Sequence, residues 1–491
     1  LFLRLWDQAA TWSHVQRDDA VRRPDVIQAH IDDLLAYDNG VEAAQELLEG
    51  LLHTEDGTLE RARGAILDAM QVLDEVYLLI HPRTALLSPS RARRRRLPAW
   101  LEDAREQRTL GQPYAVDDSR ILAPRGPFTA RARTMAHLNG ETLEDRFNAL
   151  TAPPRFVDAN GRKIEISQKV IGHDAAQGVP APRRGDRRPG SESVGVVVVA
   201  ERADELEMSR PDRPSGPHLD IRARSDLNAA DRFFAGVRRL GDLDVAMAPE
   251  LTISEEQATR FAEKLTETAD RWPRLSVAGS GGSRRSDERG RRENVSIMYN
   301  ALGAELWRHR KVWPYAMTAG QVAKFRWDPI GAEELLGEDL LDGETLTVAD
   351  LDGLGRVMIL ICQDFQINSA VGDMIRLYQP DWVLVPVLDS DTEFGRWAHK
   401  RAFDLSGLSN ARFVVASSLA LAEQAGSKAY PNIAVGLMVG PMDPTTPSSG
   451  SQRAVGTLLC QSHNPMCGKL TWGSDDPAWS QTNLAKPNPT S

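Results

Sequence analysis

The hydrophobic pattern changes its period along the chain. From Leu1 to about His81 apolar residues recur every three to four positions, as in Val41, Ala44, Leu48, Leu51 and Leu52 and again in Leu59, Ala62, Ile66, Met70, Leu73 and Tyr77, which predicts amphipathic helices. Pro24 suits a first helical position and Gly57 a break between helices. His53, in a polar turn, is expected to be a surface histidine. Beyond about residue 193 short apolar runs alternate with helical patterns. Residues 194–200 (VGVVVVA), 243–248, 275–278, 382–387, 413–417 and 433–439 predict strands, and 227–240, 255–271, 369–377 and 393–408 predict helices. Residues 294–311 predict two strands meeting around Leu302-Gly303. Strand–helix alternation argues for an α/β domain. Between the two regions, 177–190 (QGVPAPRRGDRRPG) is too polar and too rich in Gly and Pro to order itself. The predicted division is a helical N-terminal module over 1–176, a linker over 177–192, an α/β domain over 193–470 and a tail over 471–491.

Three of the predicted strands end in residues with chemistry. The run 356–365 (RVMILICQDF) suits a strand buried on both faces that delivers Cys362 at its C-terminal end, the edge where open α/β sheets gather loops and helix N-termini. Alone, a cysteine after an apolar run is more often an inert core residue than a nucleophile. Upstream, 243–254 (LDVAMAPELTIS) ends its strand at Pro249, which lacks the N–H to continue a ladder, so that Glu250 emerges at the strand end. Lys311 closes the hairpin between them. A carboxylate that takes a thiol proton and an ammonium that stabilises the thiolate are what a nucleophilic cysteine needs.

The order and contexts of Pro249-Glu250, Asn294…Gly303…Lys311 and Cys362-Gln363-Asp364 resemble the nitrilase, or carbon–nitrogen hydrolase, superfamily over roughly residues 193–467. Residues 381–388 (DWVLVPVL) resemble its next strand, and the stretch from Arg401 to Ser417 its helix-to-strand return. The resemblance implies a four-layer αββα sandwich formed on association of two such halves, and at least a homodimer. It implies hydrolysis of a non-peptide carbon–nitrogen bond, of an amide rather than a nitrile, by a Glu250–Lys311–Cys362 triad through a thioester, with the Lys311 ammonium and the Gln363 N–H holding the oxyanion. Many family members carry a second glutamate shortly after the lysine; the corresponding Thr318 and Ala319 are not acidic. Gln321 is then the nearest polar candidate for positioning substrate, and Glu333 and Glu334 reach in only if the intervening loop folds back. Without a second carboxylate Glu250 serves both half-reactions, and the thioester is expected to accumulate as a burst. Trp313, Tyr315, Phe365 and Trp397 are candidates to line a pocket. A second reading keeps the scaffold without the activity, as a ligand-binding or regulatory module of a larger protein, for example one used in defence.

Composition narrows the remaining choices. A formal charge of −10 on 491 residues suits a soluble, cytoplasmic protein and does not by itself invite nucleic acid or an acidic membrane. The exception is 91–96 (RARRRR), where Arg91, Arg93, Arg94, Arg95 and Arg96 beside Trp100 form a candidate polyanion or nucleic-acid contact, the alternative being a solvated linker. Three cysteines are too few for a disulfide framework, which points to a reducing compartment. No Cys or His pair falls at zinc-ligand spacing, so no metal is expected. The cluster Gly279-Ser280-Gly281-Gly282 has the wrong spacing for a dinucleotide fingerprint and is expected to be a flexible loop, so no cofactor is expected either. His399, the one candidate partner for a papain-like cysteine, is expected at the surface or behind the site. No apolar run approaches the ~18–20 residues that cross a bilayer. The first residues do not read as a signal peptide, and the lack of an initiator methionine suggests processing or a longer parent chain.

Overall fold

Helices Phe2–Ala10, His14–Asp18, Pro24–Leu34, Gly40–Leu52, Leu59–Tyr77 and Ala99–Thr109 bury Trp6, Leu47, Met70, Val76 and Leu101 in a shared core, with Pro24 in the first turn of its helix as its fixed φ favours. The computed structural model describes residues 1–20, 22–52, 58–82, 96–126, 128, 142–159, 161–173, 178–180, 191–211, 213–268, 273–366, 369–409, 411–426, 433–441, 453–460, 467–472 and 479–483. His53, Gly57, Arg91, Arg93, Arg94, Arg95 and most of 177–192 lie outside them.

The helical period stops at Thr109. Ile121–Pro124 pairs with Ala115–Val116 and Leu150–Thr151 in a small sheet, and Phe156–Ala159 and Arg162–Ile171 join one of the two large sheets, so the segment read as a helical module ends in strands. The signal is visible in RKIEISQKVI: Ile164 and Ile166 are buried while Lys163 and Glu165 between them are exposed, the alternation of a half-buried strand. Asp74, on the helix Leu59–Tyr77, clasps this region. Its Oδ1 accepts the N–H groups of Ala149 and Leu150, both at 2.8 Å, and its Oδ2 that of Asn148 at 2.7 Å. Burial outweighs these bonds and raises the carboxyl from the ordinary 3.8 to about 6. The unfolded chain therefore releases this proton first, and Asp74's contribution to stability falls as pH rises between those values. Asp74→Ala leaves three N–H groups without their acceptor and should cost about 1–3 kcal/mol. In urea unfolding, the deficit relative to wild type should be larger at about pH 4 than at about pH 7.

One large sheet runs Gly281–Ser286, Arg292–Tyr299, Leu275–Val277, Val245–Met247, Ser193–Val197, Cys467–Trp472, Trp479–Asn483, with Glu305–Arg310 and Leu340–Leu341 also paired to Arg292–Tyr299. The other runs Arg453–Cys460, Ile433–Pro441, Arg412–Ala416, Trp382–Pro386, Gly355–Ile359, Thr345–Leu351, Arg162–Ile171, Phe156–Ala159. The segment expected to be a tail thus contributes an edge strand, Trp479–Asn483, to the first sheet's end beside Cys467–Trp472.

The sheets face each other. Val194, Val196, Val245, Met247 and Val277 from one meet Val357, Ile359, Trp382, Leu384 and Val414 from the other. Alternate residues point outward to helices: Val197 and Ala246 pack on Ala229–Leu240 and Glu255–Thr266 through Phe233, Val237 and Phe261. Met358, Val383 and Phe413 pack on Ser369–Tyr378 and Trp397–Ser409 through Met374, Ile375, Ala402 and Leu405. Both sheets belong to this chain, so the four αββα layers form without association of two copies. The N-terminal region is tied in by Arg356, fully buried, which grips both carboxylate oxygens of Asp350 and donates to the carbonyls of Pro124 and Tyr378. No helix among the described residues is long and apolar enough to cross a membrane.

Candidate active site

Glu250, Lys311 and Cys362 meet where strands from both sheets end. Val245–Met247 stops short of Pro249, and the Glu250 N–H then donates to the Val387 carbonyl at 3.3 Å while the Leu388 N–H returns a bond to Glu250 Oε2 at 3.0 Å. This glutamate is thereby held by the second sheet as well as its own. The glycine cluster 279–282 is pressed against the same turn: a Cβ on Gly279, whose φ is +55°, would lie 2.2 Å from the Pro249 carbonyl oxygen, and one on Gly281 2.4 Å from that of Ile253. The flexible loop expected there is instead a close-packed approach leading into the strand Gly281–Ser286.

The hairpin brings Lys311 in, its N–H donating to the Asn294 carbonyl at 2.8 Å, and Asn294 Nδ2 in turn donates to Glu250 Oε1 at 3.0 Å. The Lys311 side chain is fully buried, with Nζ 2.8 Å from Glu250 Oε1. Cys362 follows the strand Gly355–Ile359 and adopts φ +45°, a left-handed conformation that costs a residue with a side chain about 1–3 kcal/mol. The turn is held by Asp364, whose Oδ1 accepts the N–H groups of Val312 and Trp313 and whose Oδ2 accepts that of Ile361 and lies 2.9 Å from His309 Nε2. One buried carboxylate therefore fixes the cysteine turn to the lysine strand. The Gln363 N–H opens the short helix Gln363–Gln366, where first-turn N–H groups have no intrahelical acceptor.

A second carboxylate is present after all. Glu338 Oε1 and Oε2 lie 2.8 and 2.6 Å from Lys311 Nζ, and Oε2 accepts the Tyr315 N–H at 2.6 Å. It comes from the strand Leu335–Glu338, in a small sheet with Leu206–Ser209, His218–Ala223 and Ala316–Thr318, and stands 27 residues beyond the lysine. Sequence reasoning missed it, although LLGE ends an apolar pair in a glutamate much as AMAPE does. Glu333 and Glu334 stay exposed, Glu334 accepting the Gly331 N–H. The premise of the expected burst, that no second carboxylate stands beside the lysine, is thus removed.

Cys362, Glu250 and Glu338 open on a cavity of about 350 Å³ whose apolar lining includes Leu251, Met317, Phe325, Trp327 and Leu388. Gln321 lines it; its Oε1 accepts the Thr318 N–H that caps its own helix, and its Nε2 donates to Tyr315 Oη at 2.6 Å. Tyr315 and Trp397 line it too, Trp397 Nε1 donating to Asp389 Oδ2 at 2.6 Å. Trp313 and Phe365 do not: both are buried beneath the second sheet. His399, expected near the surface or behind the site, is buried on its helix between the rings of Phe394 and Phe403 and is not among the lining residues.

The electrostatics follow from two carboxylates and one ammonium out of water. Burial alone would lower the Lys311 ammonium, but Glu250 and Glu338 outweigh it and hold it well above its ordinary value, so it stays charged. Burial and repulsion from Glu250 raise Glu338 against the pull of Lys311. Burial, then Glu250, push the Cys362 thiol well above its usual range despite Lys311. The resting cysteine is a thiol beside a base, not a free thiolate. Such a set can deprotonate the thiol as it attacks and neutralise an oxyanion. Among the described residues no three His, Cys, Asp or Glu side chains gather as a metal site.

No protein-family model matches the chain, and no curated protein does. Similar solved structures include an amidase from Nesterenkonia sp. AN1 with the acetamide moiety of fluoroacetamide added covalently at its active-site cysteine, at 16% identity and a TM-score of 0.36, covering 60% of this chain and 94% of that one. They also include a cysteine-to-alanine mutant of that amidase in complex with butyramide, at 16% identity and a TM-score of 0.35, covering 58% and 93%. A further structure of such a mutant is described as belonging to the nitrilase superfamily, at 16% identity and a TM-score of 0.35 over 59% and 94%.

Proposed function

We propose that this chain hydrolyses a non-peptide amide through a cysteine thioester, in the manner of nitrilase-superfamily amidases. The observation that carries the reading is the buried Lys311 ammonium held between Glu250 and Glu338, two carboxylates that line the same cavity as Cys362. Cys362 attacks the amide carbon while its proton passes to Glu250. The oxygen gains negative charge against the Lys311 ammonium and the Gln363 N–H. Glu250 returns the proton to the departing nitrogen, ammonia or an amine leaves, and the acyl group remains on sulfur. A water molecule that gives its proton to Glu250 then cleaves the thioester and restores the thiol. Glu338 holds Lys311 in register for both halves.

Incubation with a panel of short amides should add an acyl group to the peptide carrying Cys362, detectable by mass spectrometry, and Cys362→Ala should abolish both the adduct and ammonia release. A ligand-binding module without turnover is the second reading, favoured by the protonated resting thiol. It stands if amides bind and no adduct or ammonia is found with any of them.

A further inference from the structure

Two cations that line the cavity, Arg396 and Lys324, make no ion pair among the described residues. The Arg396 guanidinium makes no hydrogen bond or ion pair among the described residues, and Lys324 Nζ donates only to Ser390 Oγ, at 2.9 Å. Other arginines of this chain are paired, as Arg308 is with Glu255 and Glu305 and Arg213 with Asp339. Asp389, the lining carboxylate nearest in sequence, accepts the Ser390 N–H at 2.6 Å on Oδ1 and the Trp397 Nε1–H on Oδ2, and its single negative charge offsets only one of the two cations. Arg396 directly precedes the helix Trp397–Ser409, whose first turn carries no acidic residue and whose positive end adds to the same field.

The catalytic end has the opposite balance. Glu250 and Glu338 surround a single ammonium, so an incoming anion is repelled from the position of the scissile bond. An anionic substrate is therefore sorted end for end, its charge drawn to Arg396 and Lys324 and its neutral amide left for Cys362. The cavity is near the small end of ligand sites, which run from about 300 to 1,000 Å³, and Leu251, Met317 and Leu388 in its wall suit a short methylene chain.

Resting on the hydrolase reading for its reactive end, we propose that the substrate is a monoamide of a short dicarboxylic acid, its carboxylate bound by Arg396 and Lys324. Both side chains are exposed, so their substitution is compatible with folding. The probes are glutaric acid monoamide and the neutral pentanamide, titrated into the Cys362→Ala protein by the fluorescence of Trp327 and Trp397. The monoamide should bind about ten- to a hundred-fold more tightly, as expected for hydrogen bonds to a charged group. That preference should shrink with added salt and collapse to near unity in Arg396→Gln/Lys324→Gln, with part of it restored by Arg396→Lys. Equal affinities, or a preference that survives the double substitution, would overturn the proposal. Turnover by the wild-type protein is read in parallel. Selective binding of the monoamide with neither ammonia release nor a thioester would overturn the hydrolase reading while supporting the anion site.

Discussion

Glu250→Gln should lower the rate of acylation of Cys362 by about 10²- to 10⁴-fold, the range that general-base catalysis supplies. The glutamine keeps an oxygen for Lys311 Nζ and Asn294 Nδ2, which both donate to Oε1, and gives up only the acceptor of the Leu388 N–H, so the loss is chiefly one of proton acceptance. A second consequence has the opposite sign. Glu250 is among the groups that raise the thiol's pKa, so removing its charge should move the alkylation of Cys362 by iodoacetamide to lower pH even as turnover collapses. In the wild type Cys362 should be alkylated before Cys460 and Cys467, which are buried. Single-turnover kinetics and the pH midpoint of alkylation check the two halves. Full acylation in Glu250→Gln, or an upward shift of the midpoint, would show that Glu250 is not the base beside the thiol.

Lys311→Met should lose both activity and stability. Without the ammonium, Glu250 and Glu338 are left as buried carboxylates with no counter-charge, and breaking a buried ion pair from one side costs about 3–5 kcal/mol. Loss of an oxyanion partner removes a further factor of about 10²–10³ from kcat. The folded pKa of Lys311 lies above its ordinary 10.5, so its contribution is complete at neutral pH and disappears only as pH rises beyond that value. Denaturant unfolding should therefore show the variant's deficit at neutral pH narrowing in strong alkali. Adding Glu338→Gln should recover part of the stability and none of the activity, because it removes a stranded charge without restoring the ammonium. A Lys311→Met protein as stable as wild type would mean that the two carboxylates do not depend on the lysine.

The three central residues were legible because each follows a local sign: a proline that ends a ladder, a hairpin with a glycine turn, an apolar run that ends in a thiol. Glu338 was not, for a physical reason. It stands among Glu333, Glu334 and Asp339, and nothing local distinguishes the one carboxylate that tertiary packing turns toward a buried ammonium. The strand Arg162–Ile171 did carry its alternation, but it follows a long helical stretch and its partner, Thr345–Leu351, lies far along the chain. Similarly, Gly279 and Gly281 read as slack until the Pro249 and Ile253 carbonyls are seen to occupy the space of a side chain. Trp313, Phe365 and His399 show the converse, for nearness in sequence to a reactive residue says nothing about which side of the sheet a ring occupies.

The pairing of Arg162–Ile171 with Thr345–Leu351 bears on inheritance and modularity. Thr345–Leu351 is the immediate neighbour of Gly355–Ile359, the strand that leads to Cys362, and it is almost wholly buried. A gene trimmed to begin at residue 193 would encode Glu250, Lys311 and Cys362 and yet leave that strand as a long, apolar, unpaired edge, a template for aggregation. It would also strip Arg356 of the Pro124 carbonyl that it holds. The N-terminal part is therefore no cassette that could be exchanged at the Gly- and Pro-rich stretch without exposing the sheet edge that it covers.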